Sequence, residues 1–205
     1  MRVLPSGSDA LLIELDDLDQ VLAMYAALHD ERPVGVIDIV PAARTVLLII
    51  DPVATDLGEV GRAVLHLRPR LETRAAGQLL EVPVTYDGED LDEVGSLLGC
   101  DADEVIRRHA GETWTVAFCG FAPGFGYLSA AGGGWDVPRQ SSPRTTVPPG
   151  SVALAGEFSG IYPRSSPGGW QLIGHTELDV FDLQRDPPAL LRPGTPVRFI
   201  DVGRA

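Results

Sequence analysis

Lysine is missing from this 205-residue chain: all 16 basic residues are arginine. A Walker-type phosphate loop, a Schiff base to pyridoxal phosphate and a biotin arm each need a lysine, so the chain supplies none of them itself. Cysteine is scarce as well. Cys100 and Cys119 form no CxxC and have no cysteine or histidine at zinc spacing, which reads as reduced structural thiols. Long apolar runs are absent: "TVLLII" at 45–50 is far below the roughly 20 residues that cross a bilayer, and "MRVLPSGSDALLIEL" at the start contains no signal core. The expectation is a soluble, cytoplasmic protein. Positive charge is also in short supply. A net charge of −13 and a pI near 4.6 argue against a phosphate backbone as partner. The acids concentrate in residues 81–112, whereas the remainder towards the C-terminus is balanced and keeps seven arginines for anions. Self-contained catalytic signatures are lacking too. There is no GxSxG elbow and no HExxH, and "GFGYLS" carries Ser129 where a dinucleotide loop needs its third glycine. An enzyme sufficient in itself is not expected.

What is present falls into two textures. In residues 1–80, "ALLIEL" (10–15) reads as a strand and "DDLDQVLAMYAALHDE" as a helix capped by Asp16 or Asp17, with Leu18, Val21, Leu22, Tyr25 and Leu28 on one face. "VGVIDIV" and "RTVLLII" read as strands joined by "PAAR". A second helix is expected after Asp51 and Pro52, with Leu57, Val60, Val64, Leu65 and Leu67 inward. "LLEVPVTY" (79–86) then reads as a final strand, and the β-α-β-β-α-β order is that of a ferredoxin-like sandwich. Two short acidic helices follow, "EDLDEVGSLLG" and "DADEVIRRHAG". Their ends are marked by Gly99, by the Asp101–Glu104 capping pair and by Gly111, and His109 is read as a partner of the helix dipole.

From Thr113 onward short apolar strands alternate with glycine and proline: "TWTVAFCGF", "SVALAG", "WQLIGHT", "LDVFDL" and "PVRFIDV". This spacing predicts a β-barrel or sandwich over 81–205. Three loops, "APGFGYLSA", "VPRQSSPRTTVPPGS" and "YPRSSPGGW", combine fixed proline angles with glycines that let another group approach the backbone. Such loops are either tight barrel corners or the rigid walls of a site.

The ordered succession "FCGFAPGFGYLS", "VPRQSSPRTTVPPGSVALAG", "GIYPRSSPGGWQLIGHTELDVFD" and "LLRPGTPVRFI" resembles the allophanate hydrolase subunit 1 family, which includes 5-oxoprolinase subunits of PxpB type and kinase inhibitors of KipI type. Two departures are Gly126, where members commonly have proline, and the short "YDGEDLDEV" in place of a glycine-rich segment. The resemblance implies an α+β chain with a ferredoxin-like domain (1–80) and a cyclophilin-like β-barrel (81–205). It further implies a role in ATP-dependent cleavage of 5-oxoproline to glutamate by a complex. The components would be this chain, an allophanate hydrolase subunit 2 (PxpC-like) partner and a third PxpA-like protein. Mg-ATP would be used by the assembly, with no covalent cofactor on this chain. The alternatives are a carboxyltransferase-like subunit of a urea carboxylase system and a histidine-kinase inhibitor.

Activating a lactam amide calls for clamps on anionic oxygens and a group that fixes the substrate carboxylate. Arg139 and Arg144 in "PRQSSPR" offer planar forks for that task, although loop arginines are often solvated or tied to a nearby carboxylate. Gln171 and His175, four apart on a strand, are expected on one face, with His175 able to carry a proton. Tyr162, Gly168, Gly169 and Trp170 complete the candidate wall, Tyr162 and Trp170 reading as barrel core or partner-facing anchors rather than as substrate stackers.

Overall fold

Residues 1–69 and 78–203 are described in the computed structural model, and the chain divides into two units, Met1–Arg74 and Ala75–Ala205. In the first, strands β1 (Arg2–Pro5), β2 (Ala10–Glu14), β3 (Val36–Pro41) and β4 (Thr45–Ile50) form an antiparallel sheet in the order β1-β2-β4-β3. Period-two alternation decides its faces: Val46, Leu48 and Ile50 bury while Thr45, Leu47 and Ile49 turn outward. Helix α1 (Leu18–Asp30) starts under Asp17, whose carboxylate accepts from Gln20 N at 2.8 Å, and buries Val21, Met24 and Leu28.

Helix α2 (Leu57–His66) begins later than Asp51 and Pro52 suggest. Asp56 caps it by accepting from Glu59 N at 2.8 Å, while Asp51 closes a turn through Val53 N at 2.9 Å. Val60 and Val64 are buried as expected, but Leu65 is 61% exposed. The expected last strand of this sheet is a second correction. Leu79–Tyr86 does not join it, and the edge beside β2 is taken by Arg2–Pro5, a stretch too short to signal a strand by pattern. The strand that does form, β5 (Leu80–Val84), buries Val82 and Val84 in the core of the second unit.

The second unit wraps a seven-stranded sheet, with β6 (Trp114–Cys119), β7 (Gly126–Ala130), β9 (Ser151–Ala155), β10 (Phe158–Ile161), β12 (Gln171–His175) and β13 (Pro196–Asp201) joining β5 in the order β12-β9-β10-β7-β6-β13-β5. Its two edges meet where Thr85 and His175 exchange both backbone hydrogen bonds at 2.9 Å, so the sheet is a nearly closed barrel. Gly174 permits this seam, because a Cβ there would collide with the Thr85 carbonyl. β8 (Arg144–Val147) and β11 (Ser166–Gly168) form a separate two-stranded ribbon. "LDVFDL" is no strand and contributes only the bridge Phe181↔Ala189. Cys100 and Cys119 are free thiols, both half-buried.

Helices α3 (Leu91–Leu98) and α4 (Ala102–Gly111) pack Val94, Val105 and Ile106 onto the barrel core, around Trp114, Trp135 and Phe199. His109 lies in the last turn of α4 as expected, but it faces the core. It is fully buried, bonded to Tyr86 Oη at 2.7 Å and Ser159 Oγ at 2.8 Å, and burial lowers its pKa to about 3. Among the described residues no helix is long and apolar enough to cross a membrane.

Candidate functional site

Two of the three proline- and glycine-rich loops, 137–151 and 162–170, are tied together through a carboxylate that no motif announced. Asp90 stands at the N-cap position of α3 without a side-chain capping bond, its carboxylate turned to other partners, and is 5% exposed. Its Oδ1 accepts from Arg144 Nη2 at 2.6 Å and Gln140 Nε2 at 2.9 Å; its Oδ2 accepts from Arg144 Nη2 at 2.8 Å and Leu172 N at 2.6 Å. Gln140 Nε2 also reaches Gln171 Oε1 at 2.6 Å, and Gln171 Nε2 donates to the Pro138 carbonyl at 3.1 Å. Gln140 N donates to the Gly169 carbonyl at 2.8 Å. A buried charge is tolerable only when its lone pairs are satisfied, and here every bond that satisfies Asp90 also fastens a loop or strand to α3.

Arg144 is therefore not an open clamp. Besides Asp90, its Nε donates to Glu89 at 2.7 Å and its Nη1 to the Trp170 carbonyl at 3.3 Å, so the planar fork is consumed inside the fold. Gln171 belongs to the same network and is 2% exposed.

The expectation that Gln171 and His175 share a face is overturned by a β-bulge. Gln171 lies opposite Leu154, but His175 lies opposite Ser151, because the register between β12 and β9 shifts between Leu172 and Gly174. Leu154 and Ser151 are an odd number of residues apart, so the two side chains project to opposite sides. His175 instead shares the face of Leu172 and Trp170. It is half-exposed at the seam, with Nδ1 2.8 Å from Asp87 Oδ1 and Nε2 3.7 Å from Glu177.

On that face lies an aromatic cluster. Tyr162 and Phe125 are almost fully buried; Trp170, 5% exposed, sets its ring edge-on to Phe125 at 5.4 Å and to Tyr127 at 5.5 Å. A side chain at Gly168 would strike the Tyr162 hydroxyl, so this glycine is where the loop closes over the ring. Burial raises the phenol pKa of both Tyr162 and Tyr127, and the positive charge of Arg139 opposes the rise in each. Arg139 itself is exposed and, among the described residues, has no hydrogen bond or ion pair, unlike Arg144 five residues on. A depression of about 160 Å³ borders Tyr162, lined also by Gly150, Pro163, Thr176, Glu177 and Val180.

The structure thus brings Arg139, Tyr162, Trp170 and His175 to one face, puts Arg144 and Gln171 in an internal network, and leaves Gly168 tight against the Tyr162 ring and Gly169 as a backbone acceptor for Gln140 N. Asp90, Glu89, Gln140 and Tyr127 lie outside what the sequence pattern singles out. Asp90 and Glu89 sit in the acidic run that reads as a solvated helical face. Gln140 stands between the two arginines that drew notice.

Comparison with known proteins identifies the chain's relatives. Residues 1–191 match the family described as "Carboxyltransferase domain, subdomain C and D". The chain belongs to this family. It is 37% identical to a 5-oxoprolinase subunit of Escherichia coli O157:H7, over 81% of this chain and 78% of that protein. A crystal structure of TTHA0988 superposes with a TM-score of 0.76 at 37% identity, covering 94% of this chain but only 40% of that one. The urea amidolyase of K. lactis shares the fold, with a TM-score of 0.77 at 18% identity over 99% of this chain and 16% of that chain. The same architecture therefore occurs inside polypeptides more than twice as long.

Proposed function

We propose that the chain is one subunit of an ATP-dependent 5-oxoprolinase, which converts 5-oxoproline with ATP and water into glutamate, ADP and phosphate. The observation that carries the reading is the 37% identity to a 5-oxoprolinase subunit along four-fifths of the chain. The partners are an allophanate hydrolase subunit 2 (PxpC-like) and a third PxpA-like component, and the chain is inactive without them in the cytoplasm. The longer relatives, in which this fold is one segment, support that need. In fold terms the first unit is a ferredoxin-like sandwich with its edge strand drawn from the N-terminus, and the second is a cyclophilin-like barrel.

Mg-ATP is a substrate of the assembly. The γ-phosphoryl group passes to the lactam oxygen as ADP leaves, and a water adds to the ring carbon. The ring C–N bond then breaks as nitrogen takes a proton, and a second water releases phosphate to leave glutamate. Each step develops charge on oxygen, and fixed donors at a rigid rim stabilise such charge without reorganising. His175, oriented through Nδ1 by Asp87, presents Nε2 for proton transfer. Arg144 acts by holding the loops.

A carboxyltransferase-like role on a urea-type amide is favoured by the family description and would draw biotin from a partner, since the chain has no lysine. Mixing the chain with its subunit 2 and third component separates the readings. ATP consumption that depends on 5-oxoproline supports the first; consumption dependent on urea and a biotinylated protein, and not on 5-oxoproline, overturns it.

A further inference from the structure

We propose that Arg139, Tyr127 and Phe121 form a subsite that binds the carboxylate and ring of a small planar acid on the aromatic face of the barrel. Phe121 is the observation that starts the argument. Its φ is 66°, the one positive value among described non-glycine residues, and Ala122 N donates to the Gly120 carbonyl at 2.7 Å across it. That is a γ-turn of the strained kind, tolerated where the surrounding structure imposes it and concentrated at working sites. The strain does not serve burial, because the Phe121 ring is 57% exposed. It stands edge-on to Phe125 at 5.3 Å and Tyr162 at 6.1 Å, so the turn holds an apolar ring out from the cluster.

Two polar groups on the same face make no side-chain hydrogen bond among the described residues, and the charge of Arg139 acts on Tyr127 and Tyr162. The Arg139 guanidinium makes no hydrogen bond or ion pair among the described residues, and neither does the Tyr127 hydroxyl, whose ring packs against Phe125 at 5.1 Å. Arg139 is held on both sides, by the Pro138 carbonyl accepting from Gln171 and by Gln140 N on the Gly169 carbonyl, one residue from Trp170. A planar fork, a phenol donor and an exposed aromatic edge suit a carboxylate attached to a small flat ring.

The subsite rests on the 5-oxoprolinase reading only for its probe. The full chain labelled with ¹⁵N is titrated with 5-oxoproline, with 2-pyrrolidinone, which has the ring but no carboxylate, and with inorganic phosphate. The readout is the indole N–H signals. Trp114 and Trp135 lie in the barrel core, so binding at this face should move the Trp170 signal alone. The expected result is a saturable Trp170 shift with 5-oxoproline and none with the other two. Arg139→Gln should weaken binding by at least about tenfold, the loss of one charge-assisted fork. Phe121→Gly should weaken binding severalfold while raising the thermal midpoint, because glycine accepts the positive φ without strain. An absent shift, an equal shift with 2-pyrrolidinone or phosphate, or an unchanged affinity in Arg139→Gln overturns the subsite. A Trp170 response without ATP turnover in the assembled complex would remove the enzymatic reading and leave the subsite standing. Turnover with an unchanged KM in Arg139→Gln would do the reverse.

Discussion

Replacing Asp90 with alanine removes the acceptor on which three parts of the barrel rim converge. Leu172 is 6% exposed, so its N–H loses its partner where water does not readily follow, at a cost of about 1–3 kcal/mol. Arg144 loses the carboxylate that accepts from its Nη2 but keeps Glu89 and the Trp170 carbonyl, and its side chain is 22% exposed. The cost there falls below the 3–5 kcal/mol of a fully buried pair, at about 1–2 kcal/mol. Gln140 retains Gln171 and adds little. The expected loss is about 3 kcal/mol, or a midpoint lowered by about 10 °C in a chain of this size. Tryptophan fluorescence during urea unfolding is a selective assay, because Trp114, Trp135 and Trp170 all lie in the second unit. In the double variant Asp90→Ala/Arg144→Ala the losses should be non-additive by about 1 kcal/mol or more, since removing both partners leaves no orphaned charge. A loss under about 1 kcal/mol for Asp90→Ala, or strict additivity, would show that the network decorates the rim without holding it.

His109 makes stability depend on acid. Its folded-state pKa is depressed to about 3, so below pH 6.5 the unfolded chain takes up a proton that the native core refuses, and stability falls as pH falls. Between pH 7 and pH 5 the wild type should lose about 2 kcal/mol more than His109→Gln; equal losses in the two proteins would contradict this. Gly174→Ala should destabilise the second unit by about 1–3 kcal/mol and speed hydrogen exchange at the Thr85 and His175 amides, whereas Gly111→Ala, with open space around it, should cost nothing. His175→Gln should change stability by less than about 0.5 kcal/mol, because its contacts with Asp87 and Glu177 are exposed, while lowering kcat of the assembled complex. Unchanged kinetics would assign His175 to the seam alone.

Much of the fold was legible locally. Asp17 and Asp101 stand where capping chemistry puts them, and the glycine-punctuated apolar runs at Trp114–Cys119, Ser151–Ala155 and Pro196–Asp201 are strands. The candidate face was legible only in part. Arg139, Tyr162 and Trp170 were chosen for chemistry that their surroundings permit, but Arg144 was chosen for the same chemistry and is fully engaged. Nothing near Arg144 in sequence distinguishes it from Arg139; its acceptors, Glu89 and Asp90, lie 55 and 54 residues away. The pairing of Gln171 with His175 failed because a single bulged residue inverts every side chain beyond it, and a bulge leaves no mark on hydrophobic alternation.

The residues alone determined most of the helices and barrel strands, which chemistries a lysine-free acidic chain excludes, and which family it resembles, because these follow from short-range periodicity, capping and composition. Tertiary structure alone decided that β5 belongs to the barrel, that Asp90 is buried, that His109 is a core residue and that Arg144 is engaged while Arg139 makes no hydrogen bond or ion pair among the described residues. Each of those depends on partners far apart in the chain meeting across a closed sheet, where burial and unpaired charge are settled by what lies opposite and not by what lies adjacent.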